Sequence, residues 1–146
     1  DPERMLVLSN QVPESIDRII TSEEWIRCDI HKMIPIINKE NTEKFIPQML
    51  NLDILDAVSF SKGCYTGQEV VARVQHRGKI KQRMFKFKIE CENLISHGSE
   101  IHNESKRVGR VVISDLIDGY CIGLAVINNA DSGSQLNIEN KEILVI

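Results

Sequence analysis

Residues 83–90 alternate in character. Phe85, Phe87 and Ile89 interleave with Lys86, Lys88 and Glu90, and a period of two is the pattern of a strand with one buried face. Short apolar runs recur at 108–113, 120–127, 135–138 and 143–146, separated by the turn signals His97-Gly98, Asp118-Gly119 and Ser132-Gly133. Five or six short strands in so few residues predict a small antiparallel β-barrel. Phe85 and Phe87 fall on the same strand face, as core residues do. Their basic neighbours also suit a stacking platform for single-stranded nucleic acid.

Before residue 78 the rhythm is different. Thr21-Ser22-Glu23-Glu24 reads as a capping box, and Ile26, Ile30, Met33 and Ile34 follow at helical spacing up to Pro35. Between Asn41 and Phe60 the apolar residues have no single period, and Pro47 interrupts any helix, so packed and partly irregular structure is expected. Thr66-Gly67-Gln68-Glu69 reads as a second capping box, opening a helix from about Gly67 to Arg77 with Val70, Val71 and Val74 on its apolar face and Gly78 as its stop. The apolar run Met5 to Leu8, after Asp1-Pro2-Glu3-Arg4, reads as a strand entered in mid-domain, with further chain expected upstream. The fold class expected is α+β, with one unit over 1–78 and a small barrel over 79–146.

Composition changes this picture in one respect. The 146 residues carry a formal charge of -3, yet 62–88 holds eight Lys/Arg and one acid, so the remaining 10 bases face 20 acids. A concentrated basic stretch draws anions such as a phosphate, a folate tail or a nucleic acid. Lysines along 79–88 would equally protect a strand edge from pairing with other chains. Cys28, Cys64, Cys91 and Cys121 are too far apart for a Cys-x-x-Cys motif, and free thiols in a reducing cytoplasm are expected. No apolar run approaches the roughly 20 residues of a membrane helix.

The candidate chemistry gathers around Cys64. It precedes a predicted helix N-terminus, where unsatisfied amides favour an anion, and Lys62 lies two residues away, so a reactive thiolate fits; so does a small residue buried where loop meets helix. Gly63 and Gly67 permit the backbone turns an anion loop needs, and Tyr65 offers a stacking face. Glu69, Arg73 and Arg77 share a helix face, with Glu69 and Arg73 spaced for an i,i+4 pair. Asp29 and His31, two apart on a helix, point to different faces and make no direct dyad. His76, His97 and His102 show no metal-ligand spacing with the cysteines, and no structural zinc is expected.

The run Lys62-Gly63-Cys64-Tyr65-Thr66-Gly67-Gln68-Glu69, followed by Val71-Ala72-Arg73 and Arg77-Gly78-Lys79, resembles the K-G-C-Y-x-G-Q-E signature of the YgfZ family. Phe45-Ile46-Pro47-Gln48, Asn51-Leu52 and Val58-Ser59-Phe60 are similar to further family segments, as are Val108-Gly109-Arg110 and Gly123-Leu124-Ala125 in the barrel. The resemblance runs from about Trp25 to the end. It implies a partial domain like that of the glycine-cleavage T-protein, a tetrahydrofolate-type ligand, a functional cysteine at Cys64, and support of iron–sulfur proteins, some of which modify tRNA. It places binding positions at Lys62, Gly63, Tyr65, Gly67, Gln68, Glu69 and Arg73. The family's R-x-E-x-G-I-P pattern falls on residues 29–35, so His31 stands where its glutamate would be, offering one donor and one acceptor in place of two acceptor oxygens.

The reading that follows is an accessory folate-binding protein rather than an enzyme, with iron–sulfur proteins as partners. The alternatives are a folate-dependent aminomethyl transferase, or a basic module that docks on protein or tRNA. Family members are about twice this length, so the chain is expected to be a portion of such a protein.

Overall fold

The computed structural model describes residues 4–11 and 14–146. Its strands are β1 (Gln82–Glu90), β2 (Glu100–Asn103), β3 (Lys106–Ile117), β4 (Tyr120–Asn128), β5 (Leu136–Ile138) and β6 (Lys141–Val145). They close into a barrel in the order β1-β4-β3-β2-β5-β6, with every pairing antiparallel. The expected barrel is therefore present. Closure leaves no open sheet edge for the lysines of 79–88 to protect. One strand was not foreseen: β2 reads Glu-Ile-His-Asn, and its single apolar residue, the fully buried Ile101, carries no period of two.

Turn chemistry sets the register. Asp118 and Gly119 (φ 50° and 80°) join β3 to β4, and Glu139 and Asn140 (φ 51° and 65°) join β5 to β6. Both are two-residue hairpins with two left-handed residues, the arrangement whose twist matches that of the strands. Between Val111 and Ile113 the register of β3 against β4 shifts by a bulge. Val111 packs in the barrel interior while Val112 and Ile113 join a second cluster, so three consecutive apolar residues are buried in one strand.

The apolar residues form two cores. The first fills the barrel with Phe87, Ile89, Ile101, Val111, Ala125, Ile127, Leu136 and Ile138 among others, and Phe85 packs against it. Phe85 and Phe87 are thus core residues and not a stacking platform. The second core lies where Met84, Val112, Ile113, Leu124 and Val126 meet Ile30 and Leu50, with Ile26, Met33 and Phe45 at its margin. The helical segment is pressed on the barrel wall through this second core.

Helix α1 (Ser22–His31) starts with the expected capping box: the Glu24 amide donates to Thr21 Oγ1 and the Thr21 amide donates to the Glu24 carboxylate. It stops four residues before Pro35, because Met33 takes a left-handed conformation (φ 58°) and the residue before a proline is driven out of the helical region. A 3-10 turn, η1 (Pro47–Leu50), is the only regular element between α1 and residue 60. The reading of a strand at the start is corrected where it can be seen. Met5 to Leu8 are exposed and belong to no strand, and Asp1 to Glu3 lie outside the described residues. Arg4 reaches α1 nevertheless, pairing with the buried Asp29, donating to the Trp25 carbonyl at 2.6 Å and stacking 4.1 Å from the Trp25 ring.

Candidate functional site

The stretch 57–67 is irregular and leads into α2 (Gln68–Arg77). Its entry is a tight turn in which the Gln68 amide donates to the Tyr65 carbonyl at 3.1 Å. Gly67 occupies the third position with φ 88° and ψ -5°, values that suit a type II turn and that side chains resist. Gly67 is therefore the N-cap. The second capping box is a misreading: Thr66 lies one residue outside the helix, and no side chain caps α2. Glu69 pairs instead with Arg73 at 2.6 Å, as the i,i+4 spacing predicts.

Cys64 is exposed, which removes the reading of a small residue buried where loop meets helix. Lys62 Nζ stands 5.1 Å from the centre of the Tyr65 ring, over its face, so a cation and a ring flank the thiol in sequence and touch each other in space. A Cβ on Gly63 would meet nothing within 4 Å, so solvent reaches the backbone there. Gln68 is half-buried in the first turn, and Phe60 meets His76 edge to face at 6.0 Å. The loop thus carries Lys62, Cys64 and Tyr65 in one short stretch before α2, whose Gln68 and Val70 amides already donate to the Tyr65 and Gly67 carbonyls, and the Glu69–Arg73 pair follows in the helix. His31 is exposed in the last turn of α1, a helix that packs chiefly on β3 and β4, whereas α2 packs chiefly on η1.

What holds α2 in place was only partly legible. Gln48 is fully buried in η1 and its Nε2 donates to the Val71 carbonyl of α2 at 2.7 Å. Arg83 of β1 donates to the Gln48 carbonyl at 2.8 Å and makes two hydrogen bonds, 2.6 and 2.9 Å, to the Asp53 carboxylate. Asn51, left-handed at φ 58°, donates to the Met84 carbonyl at 2.8 Å. Burial pushes the Asp53 carboxyl up, but the Arg83 hydrogen bonds and charge, with the amides of Asp53 and Ile54, outweigh it and hold it below the usual carboxylate range. These polar residues fasten the base of α2, and with it the Cys64 loop, to the barrel wall.

The basic run is accordingly less free than its charge suggests. Arg73 is paired with Glu69, Arg83 is consumed by Asp53, and Lys88 lies 3.8 Å from the Tyr120 ring centre. Arg77, Lys79 and Lys81 stay exposed at the end of α2 and before β1. A separate depression of about 630 Å³ opens between β2 and β5, lined by Ser99, Glu100, His102, Glu104, Asn137 and Glu139 among others. Its acids oppose the sign of the candidate loop. Among the described residues no group of three or more His, Cys, Asp or Glu gathers to hold a metal ion, and no helix is long and apolar enough to cross a membrane.

No family model matches the chain. Individual relatives do. It is 34% identical over 149 aligned positions to an uncharacterised protein of Haemophilus influenzae, covering 98% of this chain and 53% of that protein. It is 35% identical to proteins named tRNA-modifying protein YgfZ from Pectobacterium carotovorum and Pectobacterium atrosepticum, covering 88% and 95% of this chain and 40% and 41% of theirs. The chain spans about half the length, or less, of these relatives. Sequence match over nearly its whole length, and the motif residues now seen in one loop, make this chain a homologue of the YgfZ proteins, corresponding to their C-terminal part.

Proposed function

We propose that the chain is part of a folate-binding accessory protein linked to tRNA modification, which supports iron–sulfur proteins through the exposed thiol of Cys64. The observation that carries this reading is the Cys64 loop: an accessible thiol lying in sequence between a cation and a ring that meet each other, just before a helix start without a side-chain cap. The Lys62 cation suits the carboxylate tail of a tetrahydrofolate-type ligand, and the Tyr65 ring suits stacking on its flat portion. Gly63 and Gly67 keep the backbone open to it, Gln68 and Arg73 offer donors, Glu69 an acceptor, and His31 would meet it only from the side of α1.

Tetrahydrofolate titrated calorimetrically into this chain, with His31 retained and with His31→Glu, tests the ligand. Saturable binding weakened by Tyr65→Ala and Lys62→Ala is expected; heat unchanged by both substitutions would sink the assignment to this loop. For the thiol, Cys64→Ala in the full-length protein is expected to lower the activity of an iron–sulfur enzyme that modifies tRNA, and full activity would remove Cys64 from the reading.

The aminomethyl transferase reading has less support, since Glu69 is the acid nearest the thiol in sequence and is paired with Arg73. The basic docking reading rests on exposed Arg77, Lys79 and Lys81. Binding to tRNA that falls steeply with salt, and less steeply in a Lys79→Ala/Lys81→Ala variant, would favour it; a flat salt dependence would exclude it.

A further inference from the structure

A bulge near the start of β3 gathers positive charge on the barrel wall. Ile101 of β2 pairs with Gly109, yet the next residue, His102, pairs with Arg107, so Val108 is one residue extra in β3. Strand residues three apart normally point to opposite faces. The extra residue reverses the phase: Val108 turns into the barrel core and Arg107 comes round to the side of Arg110. Both guanidiniums donate to the same oxygen, Glu100 Oε1, at 3.1 and 3.0 Å, and Arg110 also donates to the Gly98 carbonyl at 2.8 Å. The two arginines line a cleft of about 90 Å³ together with Lys44, Phe45, Gln82 and Gly109, and no acid lines it among the described residues. Lys44 is exposed and holds no ion pair among the described residues. Nothing in the candidate function uses this cleft.

We infer that Lys44, Gln82, Arg107 and Arg110 form a binding site for a phosphate group, either free or as one link of a nucleic-acid backbone. The cleft is smaller than the roughly 300–1,000 Å³ of pockets that take drug-sized molecules, so it suits a compact anionic group and not a ring system. A guanidinium has more N–H donors than the bonds to Glu100 and Gly98 use, and its planar fork matches paired phosphate oxygens. Lys44 adds a point charge and the Gln82 amide a neutral donor. One carboxylate, Glu100, answers the two arginines, and Lys44 has none, so the cleft keeps an excess of positive charge that draws an oxyanion. The hydrogen bond from Arg107 and the charges of both arginines hold Glu100 below the usual carboxylate range against its desolvation, so it stays ionised. Glu100 therefore orients the two guanidiniums and also competes with the ligand for them. Such a site reads charge and shape, not a base. It shares no residue with the Cys64 loop and stands or falls apart from the folate reading.

The test titrates the whole chain, in low-salt buffer without phosphate, with inorganic phosphate by calorimetry and with a short fluorescent single-stranded RNA by anisotropy. Lys44→Ala and Arg107→Ala change exposed residues, so their thermal midpoints should match that of the unchanged chain, and each should weaken binding about three- to tenfold. Glu100→Gln removes the competing charge and should tighten binding, which a merely structural role for Glu100 would not do. Saturable phosphate binding without RNA binding assigns the site to free phosphate; RNA binding that inorganic phosphate displaces assigns it to a nucleic-acid backbone. Lys79→Ala/Lys81→Ala reports on the other basic stretch. Failure of the unchanged chain to bind either probe would overturn the inference. So would loss of binding confined to Lys79→Ala/Lys81→Ala while the Lys44, Arg107 and Glu100 variants keep the parent affinity.

Discussion

Replacing Arg83 by methionine removes three hydrogen bonds, two to the Asp53 carboxylate and one to the Gln48 carbonyl. The Asp53 side chain is only 9% exposed, so the substitution strands a nearly buried charge. Breaking a fully buried pair from one side costs about 3–5 kcal/mol. Arg83 is 21% exposed, so water relieves part of that, and we expect about 2–3 kcal/mol at pH 7. Asp53→Asn keeps one acceptor and should cost about 1–2 kcal/mol. The double variant should cost less than the sum of the singles, because neither charge is left alone. Urea unfolding of the four proteins measures the coupling. The pH dependence has a fixed sign. Because the folded carboxyl lies below its ordinary value, the pair contributes fully above about pH 4 and loses its contribution as pH falls through the lower folded value. The penalty for Arg83→Met should therefore shrink in acid. A coupling near zero, or a penalty that is the same at pH 7 and pH 3, would refute the clamp.

Other expectations follow from single positions. A Cβ on Gly123 would fall 2.3 Å from the Ile113 carbonyl and 2.6 Å from the Phe87 ring, so Gly123→Ala should lower stability by about 1–3 kcal/mol or more in a denaturant melt. Thr21→Ala should cost about 1 kcal/mol, while Thr66→Ala stays within about 0.5 kcal/mol, since only the first caps a helix; equal losses in unfolding would contradict the N-cap at Gly67. Ile30→Ala, in the second core with Val112 and Leu124, should cost about 2–4 kcal/mol by urea unfolding. Under native conditions a maleimide should label Cys64 quickly and leave Cys91 and Cys121 unlabelled, as mass spectrometry of timed samples would report.

Much of the barrel was legible because strand burial leaves a period of two, and Asp118-Gly119 declares its hairpin in two letters. β2 was not, since Ile101 alone is apolar and its pairing with β3 is a tertiary fact. At the loop the residue types were readable but their accessibility was not. Whether Cys64 is buried depends on what packs over it, and sequence spacing says nothing of that. Thr66 and Glu69 had the spacing of a capping box, yet a left-handed Gly67 moved the helix start by one residue and gave Glu69 to Arg73. Arg83 looked like one more charge in a basic run, and its partner Asp53 lies 30 positions away in sequence.

A strand wall that is greasy on both sides cannot be cut free. Met84, Val112, Ile113, Leu124 and Val126 are sheltered by α1 and η1, so a fragment starting at Lys79 would carry an intact barrel wearing an unshielded apolar coat. Such a fragment is expected to self-associate at concentrations where the whole chain does not. Gly78 marks a change of sequence rhythm, but physical independence stops short of it.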